Sequence, residues 1–178
     1  IVVQCDPSNF DPHDLYGVDF KGYVTHRFGY ADMPGSQISG IFWDLGNGDL
    51  AVYPSKILPP YEHPGLRKWW DQGIDWVEEL VQETRKRNLE AFWHHRISGA
   101  DVRPEGGLMM EEMNPVKKAH PDWVIKSWWW QGMWNLAVPE VREYRLSILR
   151  EVAENYNFDG MQLDFARQSP FLPPGQQW

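Results

Sequence analysis

The chain has 178 residues, room for one domain with a packed interior, and its 42% apolar and 24% charged residues exclude a disordered polymer. The net charge is −8, with 25 acidic against 17 basic residues, and the only tight cationic cluster, Arg85-Lys86-Arg87, falls at a predicted helix end, so a nucleic-acid partner is not expected. A single cysteine, Cys5, excludes an internal disulfide, and no apolar run reaches the ~18 residues of a membrane span, so no membrane partner is expected.

In chain order, Ile1 to Asp6 reads as a buried strand that ends in a carboxylate, bounded by Asp6-Pro7-Ser8-Asn9. Residues 7–36 carry Gly, Pro and Asp without a helical period and read as a long loop with room for one short helix. Ile38 to Leu45 is a second buried strand, followed by the turn Gly46-Asn47-Gly48-Asp49 and a proline-rich stretch through Pro64. A helix is predicted over Asp75 to Arg87. There Ile74, Val77, Leu80, Val81 and Thr84 form a buried stripe, with acids early and Arg85-Lys86-Arg87 late, as the macrodipole prefers.

Leu89 to Arg96 is the third strand, 97–121 another long loop, and Trp123 to Trp130 an extended stretch. Pro139 opens the clearest helix, which runs to Tyr156 with Val141, Tyr144, Ile148, Leu149 and Val152 facing inward. Asn155 to Asp159 turns the chain into the fourth strand, ending at Phe165. Strands alternating with helical crossovers predict an α/β fold with four parallel strands in sequential order.

Eleven tryptophans stand out, among them Trp69-Trp70, Trp128-Trp129-Trp130, Trp123, Trp134 and Trp178. An indole fills a core or stacks on a sugar ring, and composition leaves both uses open.

Four stretches, in order, are Ile41-Phe42-Trp43-Asp44 running to Tyr53-Pro54-Ser55, Leu89 to Arg96, Asn135 to Arg142 (NLAVPEVR) and Asp159 to Asp164 (DGMQLD). Together they resemble the glycosyl-hydrolase-like barrel family, whose hallmarks are an NPxxPEVR helix entry and a YDVDGIHxD strand. That family is a distant relative of the α-galactosidase and α-amylase type barrels. The resemblance covers roughly residues 37–168. It implies the N-terminal half, strands one to four, of a TIM (β/α)₈ barrel with long loops after the strands. It also implies a glycoside hydrolase acting on a poly- or oligosaccharide, as in bacterial polysaccharide degradation, with no cofactor. A secreted or periplasmic location is the one the resemblance favours. Two departures are visible: the family's first helix is replaced by the irregular stretch 7–36, and Asp164-Phe165-Ala166-Arg167 stands where the family often has Asp-Asp.

Catalysis in such barrels sits at the C-terminal ends of the strands. Alternation puts Gln162 and Asp164 on one face of the fourth strand, and Met161, Leu163 and Phe165 on the face toward the helices. The resemblance makes Asp164 the nucleophile or charge-stabilising carboxylate; the alternative is a rim ion pair with Arg167 or Arg96. It also places Phe92, His94 and Arg96 in the lumen, where His94 and Arg96 bind sugar hydroxyls or carboxylates, or else form a structural histidine and a rim salt bridge. Gln162 and Arg167 complete the expected substrate-binding set with Asp6, preferred over Asp44 because Val2, Gln4 and Asp6 form the more polar face. Asn135 either donates to a substrate hydroxyl or caps the following helix. Asp159, at the other end of its strand, is expected to anchor a turn. A metal site is not expected, since His94 and His95 point to opposite faces.

Glycoside hydrolysis needs two carboxylates. Asp101, Glu111 and Glu112 are loop candidates for the second, and the resemblance takes it from a later strand. Four strands in the first 165 or so residues imply that a closed barrel needs about twice this length. The chain, which opens on Ile1-Val2-Val3 without a start methionine or signal peptide, is therefore expected to be one partial barrel domain, continuing beyond Trp178 and incomplete for catalysis alone. Its open strand edges call for the missing half barrel or another chain. A non-catalytic, Trp-lined carbohydrate-binding module is the rival reading, and a metal-dependent barrel hydrolase the third.

Overall fold

A computed structural model describes residues 1–6, 19–46, 49–98, 114–126, 132–166 and 169–175. The elements in order are β1 (Val2–Cys5), α1 (Phe20–Phe28), β2 (Gly40–Gly46), α2 (Pro64–Asp71), α3 (Trp76–Lys86) and β3 (Glu90–Arg96). There follow α4 (Pro115–Ala119), a 3₁₀ turn (Pro121–Trp123), β4 (Val124–Ile125), β5 (Met133–Trp134), α5 (Pro139–Asn155) and β6 (Gly160–Asp164). β1, β2, β3 and β6 form one parallel sheet in that order, so the four predicted strands pair as expected. This is the α/β architecture of a partial TIM barrel. Among the described residues, β1 and β6 are its edges.

Alternation sorts the two faces. Outward, Ile41, Trp43, Leu45, Ala91 and Trp93 are buried. Ile41, Trp43, Leu45 and Trp93 share one core with Tyr23, Val24 and Phe28 of α1, Leu66 and Trp69 of α2, Trp76, Val77 and Leu80 of α3, and Ile148 and Val152 of α5. Trp43, Trp69, Trp76, Trp93 and Trp134 are thus core residues, each removing roughly 150–250 Å² from water. Trp43 satisfies its indole N–H by donating to Thr84 Oγ1 at 3.0 Å. The sugar-stacking alternative falls away for these five; Trp128, Trp129, Trp130 and Trp178 lie outside the described residues.

The structure corrects three expectations. The stretch 7–36 does not replace the first helix: α1 is there, capped by Asp19, whose carboxylate accepts from Gly22 N at 2.7 Å. Its inner residues Phe20, Tyr23, Val24 and Phe28 keep the i, i+3, i+4, i+8 spacing, but Gly22 and the short length hid it. The proline-rich stretch ends in α2, where Pro64 takes the first helical position and His63 Nδ1 accepts from Gly65 N. The loop 97–121 contains α4, capped by Asn114. Of the extended Trp123–Trp130 stretch, Val124–Ile125 is β4, antiparallel to β5; residues 127–131 lie outside the described set.

Inward, the Phe42 and Phe92 rings meet at a tilt with centroids 4.7 Å apart, making an apolar floor below the polar strand ends. The β2–β3 register shifts between Asp44 and Gly46. A Cβ on Gly46 would lie 2.8 Å from His95 Cα, a backbone atom that cannot swing aside. Gly46→Ala is therefore expected to cost about 1–3 kcal/mol by overpacking, read as a lower midpoint in urea unfolding. An unchanged midpoint would mean that the bulge is slack.

Candidate active site

The inner-face residues at the strand ends converge. Register sets Asp44 beside His94, His94 beside Gln162, and Arg96 beside Asp164. β1 adds Gln4, which reaches His94, and Asp6 at its end. Three carboxylates, one guanidinium and one imidazole thus meet at the C-terminal end of a parallel sheet, where barrel enzymes place their chemistry.

Arg96 lies directly beside Asp164 in register yet turns away from it. Its Nη2 donates to Asp44 Oδ2 and, at 3.2 Å, to Asp6 Oδ2. The reason is electrostatic: one cation between two carboxylates offsets more repulsion than one facing a single acid. Asp44 is 1% exposed. Burial holds its carboxyl above the ordinary range, while Arg96 and then His94 draw it down. Asp44 is the residue that the sequence reading ranked too low. Asp6 and Asp44 both end strands, and the preference for Asp6 rests on the more polar face that Val2, Gln4 and Asp6 form. Removing the guanidinium would leave both acids uncompensated. Arg96→Met is expected to destabilise the fold by about 2–3 kcal/mol, less than for a fully buried pair because Asp6 is partly solvated. A melting temperature equal to wild type would show that the cluster contributes nothing to folding.

Asp164 is freer. Its Oδ1 accepts from Ala166 N at 2.7 Å, which fixes the carboxylate at the strand end. Its Oδ2 lies 3.6 Å from His94 Nε2. The side chain is 12% exposed, so one oxygen is held and the other faces the lumen. His94 is the hub: Nδ1 is 2.8 Å from Gln162 Oε1, and Nε2 is 3.9 Å from Asp44 Oδ1. Asn135 is not brought to this cluster. Its Oδ1 accepts from Ala137 N at 3.0 Å, ordering the turn that enters α5. Asp159 accepts from Ala91 N and pairs with Arg85, which ties β6 to the start of β3. Arg167 and the loop acids Asp101, Glu111 and Glu112 lie outside the described residues.

His95 faces the opposite way, as alternation requires, so the two histidines do not converge. Among the described residues no group of three or more His, Cys, Asp and Glu is placed to hold a metal ion. His95 instead joins a buried ionic cluster that supports the site from behind. Arg145 Nη2 donates to His95 Nε2 at 3.0 Å. Asp49 takes Lys117 at 2.9 Å, Arg145 at 3.4 Å and the Trp134 indole N–H at 2.7 Å. Burial and then Arg145 push His95 well below its ordinary range, so it stays a neutral acceptor. Burial alone would raise Asp49, but Lys117 and Arg145 outweigh it and the carboxyl lies below its usual range. This cluster joins the loops after β2 and β3 to α5. Nothing in the sequence announced it, because Asp49 in Gly-Asn-Gly-Asp reads as an ordinary turn.

Comparison with known proteins agrees with this architecture. The family Glycosyl hydrolase-like 10 matches residues 17–172. Glycosyl hydrolase YngK of Bacillus subtilis (strain 168) is 31% identical over 117 residues, covering 64% of this chain and 22% of YngK. Glycosyl hydrolase DigH of Escherichia coli (strain K12) is 27% identical over 142 residues, covering 75% of this chain and 32% of DigH. The chain therefore spans a third or less of these curated relatives. Among solved structures, the noncanonic maltogenic alpha-amylase AmyB from Thermotoga neapolitana matches with a TM-score of 0.54 at 14% identity. That match covers 95% of this chain and 39% of AmyB. The likeness to AmyB is one of fold.

Proposed function

Because the chain belongs to the Glycosyl hydrolase-like 10 family, we propose that it serves the hydrolysis of O-glycosidic bonds in a poly- or oligosaccharide, with Asp164 as the nucleophile or charge-stabilising carboxylate. The observation that carries this reading is the state of the three strand-end acids. Asp6 and Asp44 share Arg96, whereas Asp164 makes no ion pair with an arginine or lysine among the described residues and keeps Oδ2 toward the lumen. Positive charge develops at the anomeric carbon as the glycosidic bond breaks, and a fixed carboxylate stabilises it. Gln162 and His94 supply hydrogen bonds for sugar hydroxyls beside it. The acid/base partner is proposed to come from the loop acids Asp101, Glu111 and Glu112 or from a later strand, since Arg96 already holds Asp6 and Asp44.

A sugar-binding module without cleavage is the second reading. One observation favours it: a single acid, rather than two, is available at the described strand ends. Release of new reducing ends from a panel of poly- and oligosaccharides by the natural-length protein separates the two. The hydrolase reading expects release, and binding by calorimetry with no release would select the module.

A further inference from the structure

His94 is fixed from two sides. Gln162 Oε1 lies 2.8 Å from Nδ1, and Gln4 Nε2 lies 3.4 Å from Nε2. An amide oxygen only accepts and an amide nitrogen only donates. Nδ1 must then carry the ring proton and Nε2 the lone pair. The two amides come from β6 and β1, the opposite edges of the sheet, and both demand the same tautomer.

The consequence falls on the acids. Nε2 faces Asp164 Oδ2 at 3.6 Å and Asp44 Oδ1 at 3.9 Å. A lone pair turned toward two ionised carboxylates is repelled by both, so the arrangement calls for one proton among the three acceptors. Asp44 Oδ1 is buried with no hydrogen-bond partner among the described residues, while Oδ2 is taken by Arg96. A proton on Oδ1 would point toward the Nε2 lone pair, about 1 Å beyond ordinary hydrogen-bond reach. Burial favours that protonated form of Asp44.

We propose that Gln162, seconded by Gln4, is a positioning residue that holds His94 in its Nδ1–H tautomer and so makes Nε2 the acceptor for the proton of the Asp44–Asp164 pair. Transfer from Asp44 Oδ1 to Nε2 breaks one O–H bond and forms one N–H bond. A neutral acid and a neutral ring become a carboxylate and an imidazolium, with no change in total charge. The imidazolium then lies 3.6 Å from Asp164 Oδ2, the oxygen proposed to face a developing positive charge. The inference rests on the strand-end face being the site, but the tautomer itself does not depend on turnover.

The test is ¹⁵N spectroscopy of histidine-labelled, natural-length protein, recorded above the pH range in which histidine titrates, with the His94 signals assigned by their loss in His94→Gln. Wild type should show a protonated Nδ1 and a bare Nε2. Gln162→Glu keeps an acceptor and should preserve that pattern. Gln162→Leu removes the acceptor and should move the proton to Nε2, where it can be donated to Asp164. Gln162 is exposed, so neither variant should unfold the protein. A wild-type ring protonated on Nε2 would overturn the proposal, and so would an unchanged tautomer in the folded double variant Gln4→Leu/Gln162→Leu, which removes both amides. Should the Leu variant not fold, the wild-type spectrum still decides. Loss of glycoside cleavage with an intact Nδ1–H signature would count against the hydrolase reading alone.

Discussion

Asp164→Asn is expected to lower turnover of a cleavable glycoside by a factor of ~10³ or more, equivalent to about 4 kcal/mol of transition-state stabilisation. Asn has nearly the shape of Asp and keeps an oxygen to accept from Ala166 N. Packing and melting temperature should therefore stay close to wild type. What disappears is the charge beside His94 that an oxocarbenium-like transition state requires. Sugar affinity should survive, because hydroxyl contacts act in the ground state as well. Single-turnover kinetics and binding calorimetry on the natural-length protein give both numbers. Near-normal turnover would reduce Asp164 to a rim carboxylate, and a collapse in melting temperature would make it structural.

Asp49→Asn is expected to have the largest effect on stability, about 3–5 kcal/mol, because it leaves Lys117 and Arg145 in a buried pocket without their anion. The effect should depend on pH with a definite sign. The folded carboxyl lies below its ordinary value, so its stabilisation is complete above the unfolded carboxylate pKa of about 3.9. It is lost as pH falls through the lower, folded value. Wild type should weaken on acidification through that window, while the difference from Asp49→Asn narrows. Urea unfolding at several pH values measures it. A difference independent of pH would mean that Asp49 acts through shape rather than charge.

The parts of this fold that sequence exposes are those governed by period. The runs Ile38–Leu45 and Leu89–Arg96 read as strands because apolar residues crowd between turn signals; alternation puts Trp93 and His94 on opposite faces, and the family resemblance sets His94 inward. The α5 helix announces itself by Pro139 and a regular stripe. By contrast, α1 and α2 are short, and their caps, Asp19 and His63, look like loop residues until the chain is folded. Partner choice is harder to read still. Arg96 and Asp164 are register neighbours, yet the guanidinium goes to Asp44 and Asp6, a decision made by charges from three strands at once. The Asp49–Lys117–Arg145 cluster gathers residues from one loop and two helices, and no local pattern encodes it. Glu151 is similar: its carboxylate accepts from Tyr53, Ser55 and Lys56 N almost a hundred positions away. The sequence carries these residues but not their pairing.

Sugar is proposed to be held and cut at the strand-end face, over Asp164. A crystal structure of the natural-length Asp164→Asn protein with an oligosaccharide soaked into it tests this most directly. The glycosidic bond is expected above β3 and β6, its anomeric carbon about 3–3.5 Å from the substituted side chain at position 164, with hydroxyls bonded to His94 or Gln162. An oligosaccharide seated elsewhere, or one crossing this face with no anomeric carbon near position 164, would contradict it.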